Sequence, residues 1–225
     1  MNSTKPFKVC KDVCQVGGSD ISHPYDCSVY LLDAGDLVLI DAGAGMSFDR
    51  LVSNMEKLGF DPKKLKTILV THAHIDHIGS LHRFQKEFGV RIIAHELDAD
   101  AMEGRGEVAA EAYRVAYTPC HVDLRIKGAE ETLQLGKYEL KVIHIPGHTP
   151  GSIAAYLDID KQRVLFGQDI HGPYYPEWGA DPALAKLSLQ KLIDLKADIL
   201  CEGHFGIYQP ASEVKRYIQQ YVNSL

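Results

Sequence analysis

The chain is organised around one stretch, Thr71-His72-Ala73-His74-Ile75-Asp76-His77-Ile78-Gly79. Three histidines and one aspartate lie within six residues, directly after the apolar run 67–70. Because β-branched residues suit a pleated surface, this run predicts a short buried strand. The polar side chains would then follow the carboxyl end of a strand, which is where open α/β sheets place their sites.

We expect this stretch to be an extended loop. In extended backbone, alternate side chains point the same way, so His72, His74 and Asp76 would face one point and His77 a neighbouring one. A helix would spread the same residues around its axis. Imidazole and carboxylate groups are ligands for zinc, iron and manganese. The loop therefore predicts ligands for two adjacent metal ions.

Composition indicates an ordinary globular protein. The 225 residues are 45% hydrophobic and 24% charged, and no linker divides them, so we expect a single domain over residues 1–225. The formal net charge of −6 argues against a nucleic-acid binder, because contacts with phosphates demand a basic face. A small-molecule substrate is the expected partner.

The cysteines and the N-terminus bear on the compartment. Five cysteines is an odd number, their spacing is scattered and no CxxC pair occurs, which favours free thiols in a reducing compartment. The N-terminus lacks the apolar core of a signal peptide, and no apolar run approaches the length of a membrane span. These features predict a cytoplasmic protein that does not contact membranes.

Strands and helices alternate along the predicted chain. Strands are predicted for 9–16, 27–32, 37–40, 67–70, 90–94, 131–135, 138–145, 153–157, 163–166 and 198–201. Helices are predicted for 47–59, 78–88 and 107–117. A further helix begins at Asp181-Pro182, and a closing helix has Val214, Tyr217, Ile218 and Tyr221 on one face. In the helix after Pro182, we expect Leu184, Leu187, Leu192 and Leu195 to face inward. The segment 95–125, with a break at 104–106, is predicted to form a lid or pocket wall together with 170–181.

Three further candidate ligands, His148, Asp169 and His204, follow predicted strands. One possible division places His72, His74 and His148 on one ion, and Asp76, His77 and His204 on the other, with Asp169 bridging the two. Each ion would keep room for a shared water, as catalytic zinc sites do. No cysteine adjoins the cluster in sequence, which disfavours a structural zinc site.

Five motifs in order carry a family resemblance. They are Leu-Ile-Asp-Ala-Gly at 39–43, His-x-His-x-Asp-His at 72–77, Pro-Gly-His-Thr-Pro-Gly-Ser at 146–152, Phe-Gly-Gln-Asp at 166–169 and Gly-His at 203–204. Over roughly residues 27 to 206 the chain resembles the metallo-β-lactamase fold superfamily. The resemblance implies an α/β (α+β) fold, a four-layer αβ/βα sandwich of two mixed sheets flanked by helices, with a dinuclear site at one edge. It implies the ligand roles given above and a role for Asp41 in bracing the histidine loop.

The motifs look closest to the glyoxalase II-like branch of that superfamily. Class B β-lactamases use a cysteine and lack the full His-x-His-x-Asp-His set, which argues against antibiotic hydrolysis. The 21 residues after His204 are too few for the helical domain with which glyoxalase II holds glutathione. The extra domain of the RNA- and DNA-cutting branches and the flavodoxin domain of flavo-diiron proteins are not expected either.

The resemblance implies a hydrolase that uses a hydroxide held between two metal ions roughly 3.5–4 Å apart. Asp76 would be the catalytic residue that aims this hydroxide at a carbonyl carbon. The expected substrate is a small thioester, ester or lactone, and the expected cofactor is two divalent ions, zinc with iron or manganese as alternatives. A mononuclear-iron oxygenase resembling the persulfide dioxygenases, with iron on His72, His148 and Asp169, is the first rival. A phosphodiesterase or nuclease is disfavoured by charge and length, and a metal-binding role without catalysis is disfavoured by the complete ligand set.

Other residues near the motifs allow two interpretations. His171 and Tyr174 are candidate substrate contacts, since lactonases of this fold place a tyrosine shortly after the equivalent of Asp169. Tyr175 and Trp178 would line a pocket or simply pack. The stripe on the closing helix predicts core contact, with a homodimer surface as the alternative. The remaining histidines are expected to be surface or structural residues: His23, His82, His95, His121 and His144.

Overall fold

The computed structural model describes residues 3–225 and contains two sheets. The first sheet runs in the order β1 (Phe7–Cys10), β2 (Val13–Gly17), β3 (Val29–Asp33), β4 (Leu37–Ile40), β5 (Leu65–Leu69), β6 (Arg91–His95) and β7 (Leu124–Ile126). The second comprises β8 (Glu130–Leu135), β9 (Tyr138–His144), β10 (Ile153–Ile159), β11 (Gln162–Gln168), β12 (Ile199–Glu202) and β13 (Ile207–Tyr208), in the order β13-β12-β11-β10-β9-β8. Both sheets are mixed, because β4 to β7 and the β11–β12 pair are parallel and the other pairs antiparallel.

In the part of the chain that the structure describes, seven helices accompany the sheets. They are α1 (Phe48–Lys57), α2 (Ile75–Ile78), α3 (Leu81–Phe88), α4 (Glu96–Asp100), α5 (Ala110–Tyr113), α6 (Pro182–Asp194) and α7 (Ala211–Ser224). Tight 3-10 turns occur at Pro62–Lys64 and Pro176–Trp178, and a wider π-type turn, Ala101–Arg105, continues α4. Within residues 3–225, none of these helices has the length and apolar character needed to cross a bilayer.

Three hydrophobic cores separate four layers. The neighbours Tyr30 and Leu31 of β3 point to opposite faces, so Leu31 packs with Phe84 under the helices of the first sheet while Tyr30 packs on Phe166 between the sheets. Leu165, next to Phe166, packs in turn against α6 and α7. Each of these strands therefore contributes side chains to the cores on both of its faces. The predicted four-layer sandwich of two mixed sheets is confirmed.

The parallel strands bring the candidate ligands to one edge. β4 and β5 run parallel and end before Asp41 and Thr71, while β11 and β12 run parallel and end before Asp169 and Gly203. Two backbone hydrogen bonds join the sheets at this edge, from Ile153 N to Thr71 O at 2.9 Å and from Ser28 N to Gly203 O at 2.6 Å. Loops from both halves of the chain therefore meet at the same place.

Several predicted elements differ from the structure. The predicted strand 9–16 is wrong, because the chain reverses at Asp12 (φ 62°) and forms the β1–β2 hairpin. The helix predicted over 107–117 shrinks to α5, with residues in the left-handed conformation on both sides, Ala109 (φ 58°) and Arg114 (φ 54°). The helical backbone begins earlier instead, at Glu96, where the His95 side chain accepts a hydrogen bond from Leu97 N at 3.3 Å.

The predicted inward face of the helix after Pro182 is confirmed in part, since Leu192 is buried and Leu195 partly buried in the core under the second sheet, but it is wrong for the first two leucines. Leu184 and Leu187 are 43% and 63% exposed, whereas the buried face carries Ala185, Ser188, Leu189 and Leu192. Ser188 fixes that face by donating a hydrogen bond to Pro146 O at 2.7 Å. The predicted N-cap is confirmed, since the Asp181 carboxylate accepts from Ala183 N and Leu184 N.

The remaining expectations for the second half and for the cysteines agree with the structure. Val214, Tyr217 and Ile218 of α7 are buried in the core under the second sheet, and Tyr221 is partly buried there. All five cysteines are free thiols, as expected. The short strands β7 and β13 are absent from the predicted set, because three and two residues are too few for an alternating pattern.

Candidate metal centre

The central stretch is extended only at its beginning. His74 has extended backbone (φ −80°, ψ 146°), and the one-turn helix α2 then carries Asp76 and His77. The expectation of a fully extended loop is therefore wrong from Ile75 onward. The turn moves Asp76 away from His72 and His74 and places it with His77. This agrees with the predicted division in which Asp76 and His77 serve the same ion.

The first group of candidate ligands consists of His72, His74 and His148, all of them buried. One nitrogen from each lies within 4.8 Å of the others, and His72 Nε2 is 3.1 Å from His74 Nδ1. The three rings stand nearly perpendicular to one another, with centroids 4.6 to 4.7 Å apart. This convergence of three imidazoles forms a group that could hold one metal ion.

The second group consists of Asp76, His77, Asp169 and His204. Asp76 Oδ2 lies 3.1 Å from His204 Nε2 and 3.7 Å from His77 Nε2. Asp169 Oδ1 lies 3.3 Å from His77 Nε2. Two carboxylates and two imidazoles thus converge on a second point.

Asp169 lies between the two groups. Its Oδ2 is 3.4 Å from His148 Nε2 and 3.9 Å from His72 Nε2 on one side. The same oxygen is 3.3 Å from His204 Nε2 on the other side. A single carboxylate therefore contacts members of both groups, which is the position of a bridging ligand.

Hydrogen bonds on the outer nitrogens orient two of these imidazoles. His77 Nδ1 lies 2.8 Å from Asp41 Oδ2, and His148 Nδ1 lies 2.9 Å from Pro173 O. Since a carboxylate and a carbonyl accept, each Nδ1 donates a hydrogen bond and each Nε2 faces the centre, where it could bind a metal ion once it has lost its proton. Asp41 also accepts from Thr71 N and Thr71 Oγ1, both at 2.8 Å, so it contacts the stretch as the resemblance implies.

The charges of the two groups differ. Burial lowers the pKa of His74 to about 3 and that of His72 well below its ordinary value, so these two imidazoles are neutral. Burial opposes charge on His204 as well, but the Asp169 carboxylate raises the pKa of His204 to about 10. Burial would raise the pKa of Asp169, yet the His204 and His77 charges hold it well below its usual range. The second group therefore pairs two carboxylates with positive charge.

The donor set fits a bound cation. His77 Nε2, His148 Nε2 and Asp169 Oδ1 are buried and have no hydrogen-bond partner. Buried polar atoms without partners cost free energy, and these three belong to the two convergent groups. Imidazole nitrogen and carboxylate oxygen suit zinc, iron and manganese. A cation in each of the two groups would satisfy all three atoms.

Cys27 lies close to the centre in space, although no cysteine adjoins it in sequence. Its sulfur lies within 4.8 Å of ligand atoms of Asp41 and His77. Complete burial raises the pKa of the Cys27 thiol well above its ordinary value, which keeps the thiol protonated. His77 Nδ1 already bonds to Asp41, and the other nitrogen, Nε2, faces the second group. We therefore assign His77 to the second group and not to a site with Cys27.

The two candidate substrate contacts lie beside the centre. His171 Nδ1 is 3.0 Å from the buried Glu202 Oε1, and its ring centroid is 5.2 Å from that of His204. The Tyr174 ring is edge-on to His148, with centroids 6.0 Å apart. The Tyr174 hydroxyl donates to Ile170 O at 2.8 Å, so polarising a substrate carbonyl would require this bond to break.

Some residues at the centre lack a signal in the sequence. Glu202 accepts from His204 N at 2.6 Å and from Phe205 N at 2.7 Å, and its place at the end of β12 is the one available hint. Tyr113 of α5 lies beside Asp76, and burial together with that carboxylate raises the pKa of Tyr113 well above its ordinary value. Trp178 contacts His74, with ring centroids 5.8 Å apart. This position agrees with the interpretation in which Trp178 lines a pocket.

The other histidines are not members of these ligand groups. His95 is buried and stacks on His144, with centroids 4.0 Å apart and planes 10° apart. His121 pairs with Glu103 at the surface, and His23 packs edge-on against Tyr25. These contacts are structural, as expected for this set.

A family model and several known proteins are similar to this chain over most of its length. The model of the metallo-beta-lactamase superfamily matches residues 24–204. The hydroxyacylglutathione hydrolase GloC of Haemophilus influenzae is 28% identical over 197 residues, which cover 85% of this chain and 90% of that protein. A hydroxyacylglutathione hydrolase of Brucella ovis is also 28% identical, over 79% of this chain and 57% of its own length.

Solved structures agree on the architecture. A metallo-beta-lactamase of Cronobacter sakazakii superimposes with a TM-score of 0.81 at 23% identity, covering 98% of this chain and 95% of that one. At this identity the likeness concerns the fold alone. The family match, by contrast, extends over most of the chain and includes all seven candidate ligands. The chain belongs to the metallo-β-lactamase superfamily.

Proposed function

We propose that this protein is a dinuclear metal-dependent hydrolase that acts on a small thioester, ester or lactone, within one domain spanning residues 1–225. The observation that carries the proposal is the pair of ligand groups that share Asp169. One group of three histidines beside a second group with two carboxylates gives each ion protein ligands and leaves positions for water. We propose zinc as the metal, with iron and manganese compatible with the same ligands.

The metals would supply a bound water of lowered pKa and would polarise the substrate carbonyl. The chain's own residues would do the rest. Asp76 is buried in the second group, and its carboxylate would accept a hydrogen bond from the attacking water and orient it. His72, His74 and His148 would hold one ion, while His77, His204, Asp76 and the shared Asp169 hold the other.

The surroundings of the centre support a small organic substrate. Trp178 borders the histidine group, and Phe205 packs edge-on against His171 beside the second group. We propose His171 and the ring of Tyr174 as walls that contact the substrate.

The names of two relatives narrow the choice of first substrates. Both are hydroxyacylglutathione hydrolases, enzymes whose name describes cleavage of a thioester. We propose a thioester as the first class to assay, with simple esters and lactones beside it.

The experiment combines elemental analysis with hydrolysis assays on purified full-length protein. We expect about two zinc ions per chain and metal-dependent hydrolysis of a hydroxyacylglutathione, another thioester or a γ-lactone. One iron per chain, together with oxygen consumption on glutathione persulfide, would overturn the proposal in favour of a persulfide dioxygenase-like oxidoreductase. Hydrolysis of bis-p-nitrophenyl phosphate in place of all carbonyl substrates would favour a phosphodiesterase.

The variant Asp76→Ala tests the role of the carboxylate. We expect kcat to fall at least about a thousandfold, because orientation and general-base contributions of this size are typical of such groups. Asp160→Ala is the control, since Asp160 is exposed and pairs with Lys11 at the surface. A rate near that of the unmodified protein would refute the role assigned to Asp76.

A further inference from the structure

A second buried carboxylate, Asp98 on α4, lies where the two ligand-bearing loops of the histidine group meet. Its side chain is 4% exposed, and it comes from the segment 95–125, in which the sequence places no ligand. One loop carries His72 and His74, and the other carries His148. Among the described residues 3–225, Asp98 is not a member of any group of converging ligand atoms. Asp98 would therefore act on a metal ion through other residues.

Asp98 accepts hydrogen bonds from both loops. Its Oδ2 accepts from Ala73 N at 2.9 Å, and Ala73 separates the two ligands His72 and His74. The same oxygen accepts from Thr149 Oγ1 at 2.7 Å, from the residue directly after His148. Its Oδ1 accepts from Gly151 N at 2.7 Å. One carboxylate therefore connects the backbone beside all three histidines of the first group.

The fit around Asp98 leaves little freedom. A Cβ atom added at Gly151 would lie 2.5 Å from Asp98 Oδ1, so this loop approaches the carboxylate closely because residue 151 is glycine. Ser152 supports the same arrangement from the other side, since its Oγ accepts from Thr149 N at 3.0 Å and lies 2.8 Å from Thr149 Oγ1. The loop conformation around His148 is thus set by a network that ends on Asp98.

Asp41 performs the corresponding task on the other side. It contacts His77 directly and holds Thr71, but it has no contact with the loop that carries His148. Asp98 contacts that loop and the His72–His74 pair, but not His77. Asp41 also reaches His72 through Thr71 Oγ1, which lies 3.1 Å from His72 Nδ1, so Asp98 is the carboxylate of the two that binds the loop carrying His148.

We propose that Asp98 is a positioning residue that fixes the separation of His148 from His72 and His74, and thereby sets the metal affinity of the three-histidine group. This inference rests on the proposed function, because it assumes that the group holds a metal ion. Groups that orient metal ligands without touching the metal change metal affinity about 10–100-fold when they are removed.

The test is Asp98→Asn, which keeps the shape of the side chain but replaces one accepting oxygen with an NH₂ group. Metal-free full-length protein is titrated with Zn²⁺ and with Co²⁺, and the visible spectrum of bound Co²⁺ and its paramagnetically shifted imidazole N–H signals report which group is filled. We expect affinity at the three-histidine group to fall about 10–100-fold, while the group with His77 and His204 retains its ion. Asp41→Asn, in contrast, should weaken the group with His77 and His204, because Asp41 binds His77 directly.

A matched control and a milder variant complete the design. Asp123→Asn is the control, because Asp123 accepts from Ile92 N at 2.9 Å and touches neither loop. Thr149→Val removes one donor to Asp98 and should weaken the same group about 2–5-fold, which keeps the proposal testable if Asp98→Asn does not fold. If the unmodified protein fails to bind two ions, the proposed function fails. If it binds two ions and Asp98→Asn and Thr149→Val both bind them equally well, only the role of Asp98 is overturned.

Discussion

Two single residues with left-handed backbone mark the ends of the strands that lead to the centre. Asp41 follows β4 with φ 64°, and Gln168 ends β11 with φ 51°, directly before Asp169. Such conformations cost on the order of 1–3 kcal/mol for residues other than glycine and persist where the surroundings compensate. At Asp41 the compensation is visible, since the turn directs the carboxylate to Thr71 and His77. Both halves of the chain thus place a left-handed residue where a strand reaches the centre.

Glu103, away from the centre, gives a prediction at the level of one side chain. It accepts from Val122 N at 3.1 Å and from Arg125 Nη2 at 2.6 Å, and the hydrogen bond from Arg105 lowers its pKa to about 2. Because this folded-state pKa lies below the unfolded value, ionised Glu103 stabilises the fold above about pH 4.5, and that contribution disappears as the pH falls toward 2.

We expect Glu103→Gln to lower the free energy of unfolding by about 1 kcal/mol at pH 7, the usual order for a partly exposed ion pair. The difference from the unmodified protein should shrink steadily between pH 4.5 and pH 2. Urea unfolding followed by circular dichroism measures it, and Glu139→Gln, on an exposed position of β9, serves as the control. A difference that stays constant with pH would contradict the assignment.

At the scale of elements, α6 shows how a tertiary contact selects a helix face. Leu187 is 63% exposed and Leu192 is fully buried against the second sheet. We expect Leu192→Ala to lower the free energy of unfolding by about 2–5 kcal/mol, because it leaves a cavity in a packed core. Leu187→Ala on the same helix should change it by less than about 0.5 kcal/mol. Chemical denaturation of both variants decides, and equal losses would place Leu187 in an interface instead.

Elements with a strong local pattern could be predicted from the sequence, and those set by distant contacts could not. β4, the β8–β9 hairpin and the cap at Asp181 depend on residues next to one another, and the structure confirms them. The face of α6 could not be found, because leucines lie on both sides and Ser188 bonds to the distant Pro146. The helix prediction for residues 107–117 failed similarly, since α5 is short and is bounded by Ala109 and Arg114, which are left-handed although neither is glycine.

The same distinction applies to the centre. The stretch at 72–77 is recognisable because four candidate ligands stand together, and His148, Asp169 and His204 were located by the order of the motifs. Asp98 and Glu202 were not, because an isolated acidic residue becomes informative only when its contacts across 25 to 53 residues are known. Asp76 joined His77 through the single turn of α2, which alternation along an extended loop does not anticipate.

For the whole molecule, the candidate centre is a connection between the two sheets. His72, His74, Asp76 and His77 follow β5 of the first sheet, whereas His148, Asp169 and His204 follow β9, β11 and β12 of the second. Each ligand group takes residues from both sheets. A bound cation would therefore hold the two halves of the sandwich together at the edge where loops, rather than strands, form the contact.

This arrangement predicts that metal removal lowers stability as well as activity. A ligand at 100 times its Kd stabilises the folded state by about 2.7 kcal/mol, and in a domain of this size each kcal/mol corresponds to about 2–4 °C in Tm. We therefore expect the Tm of the metal-free protein to rise by about 5–10 °C for each filled group when zinc is added. Differential scanning calorimetry of chelator-treated and reloaded protein measures the shift.

In the double variant His72→Ala/His204→Ala, which lacks a ligand in each group, zinc should move Tm much less, whereas His23→Ala should respond like the unmodified protein. Equal Tm values with and without zinc in the unmodified protein would show that no cation joins the sheets at this edge.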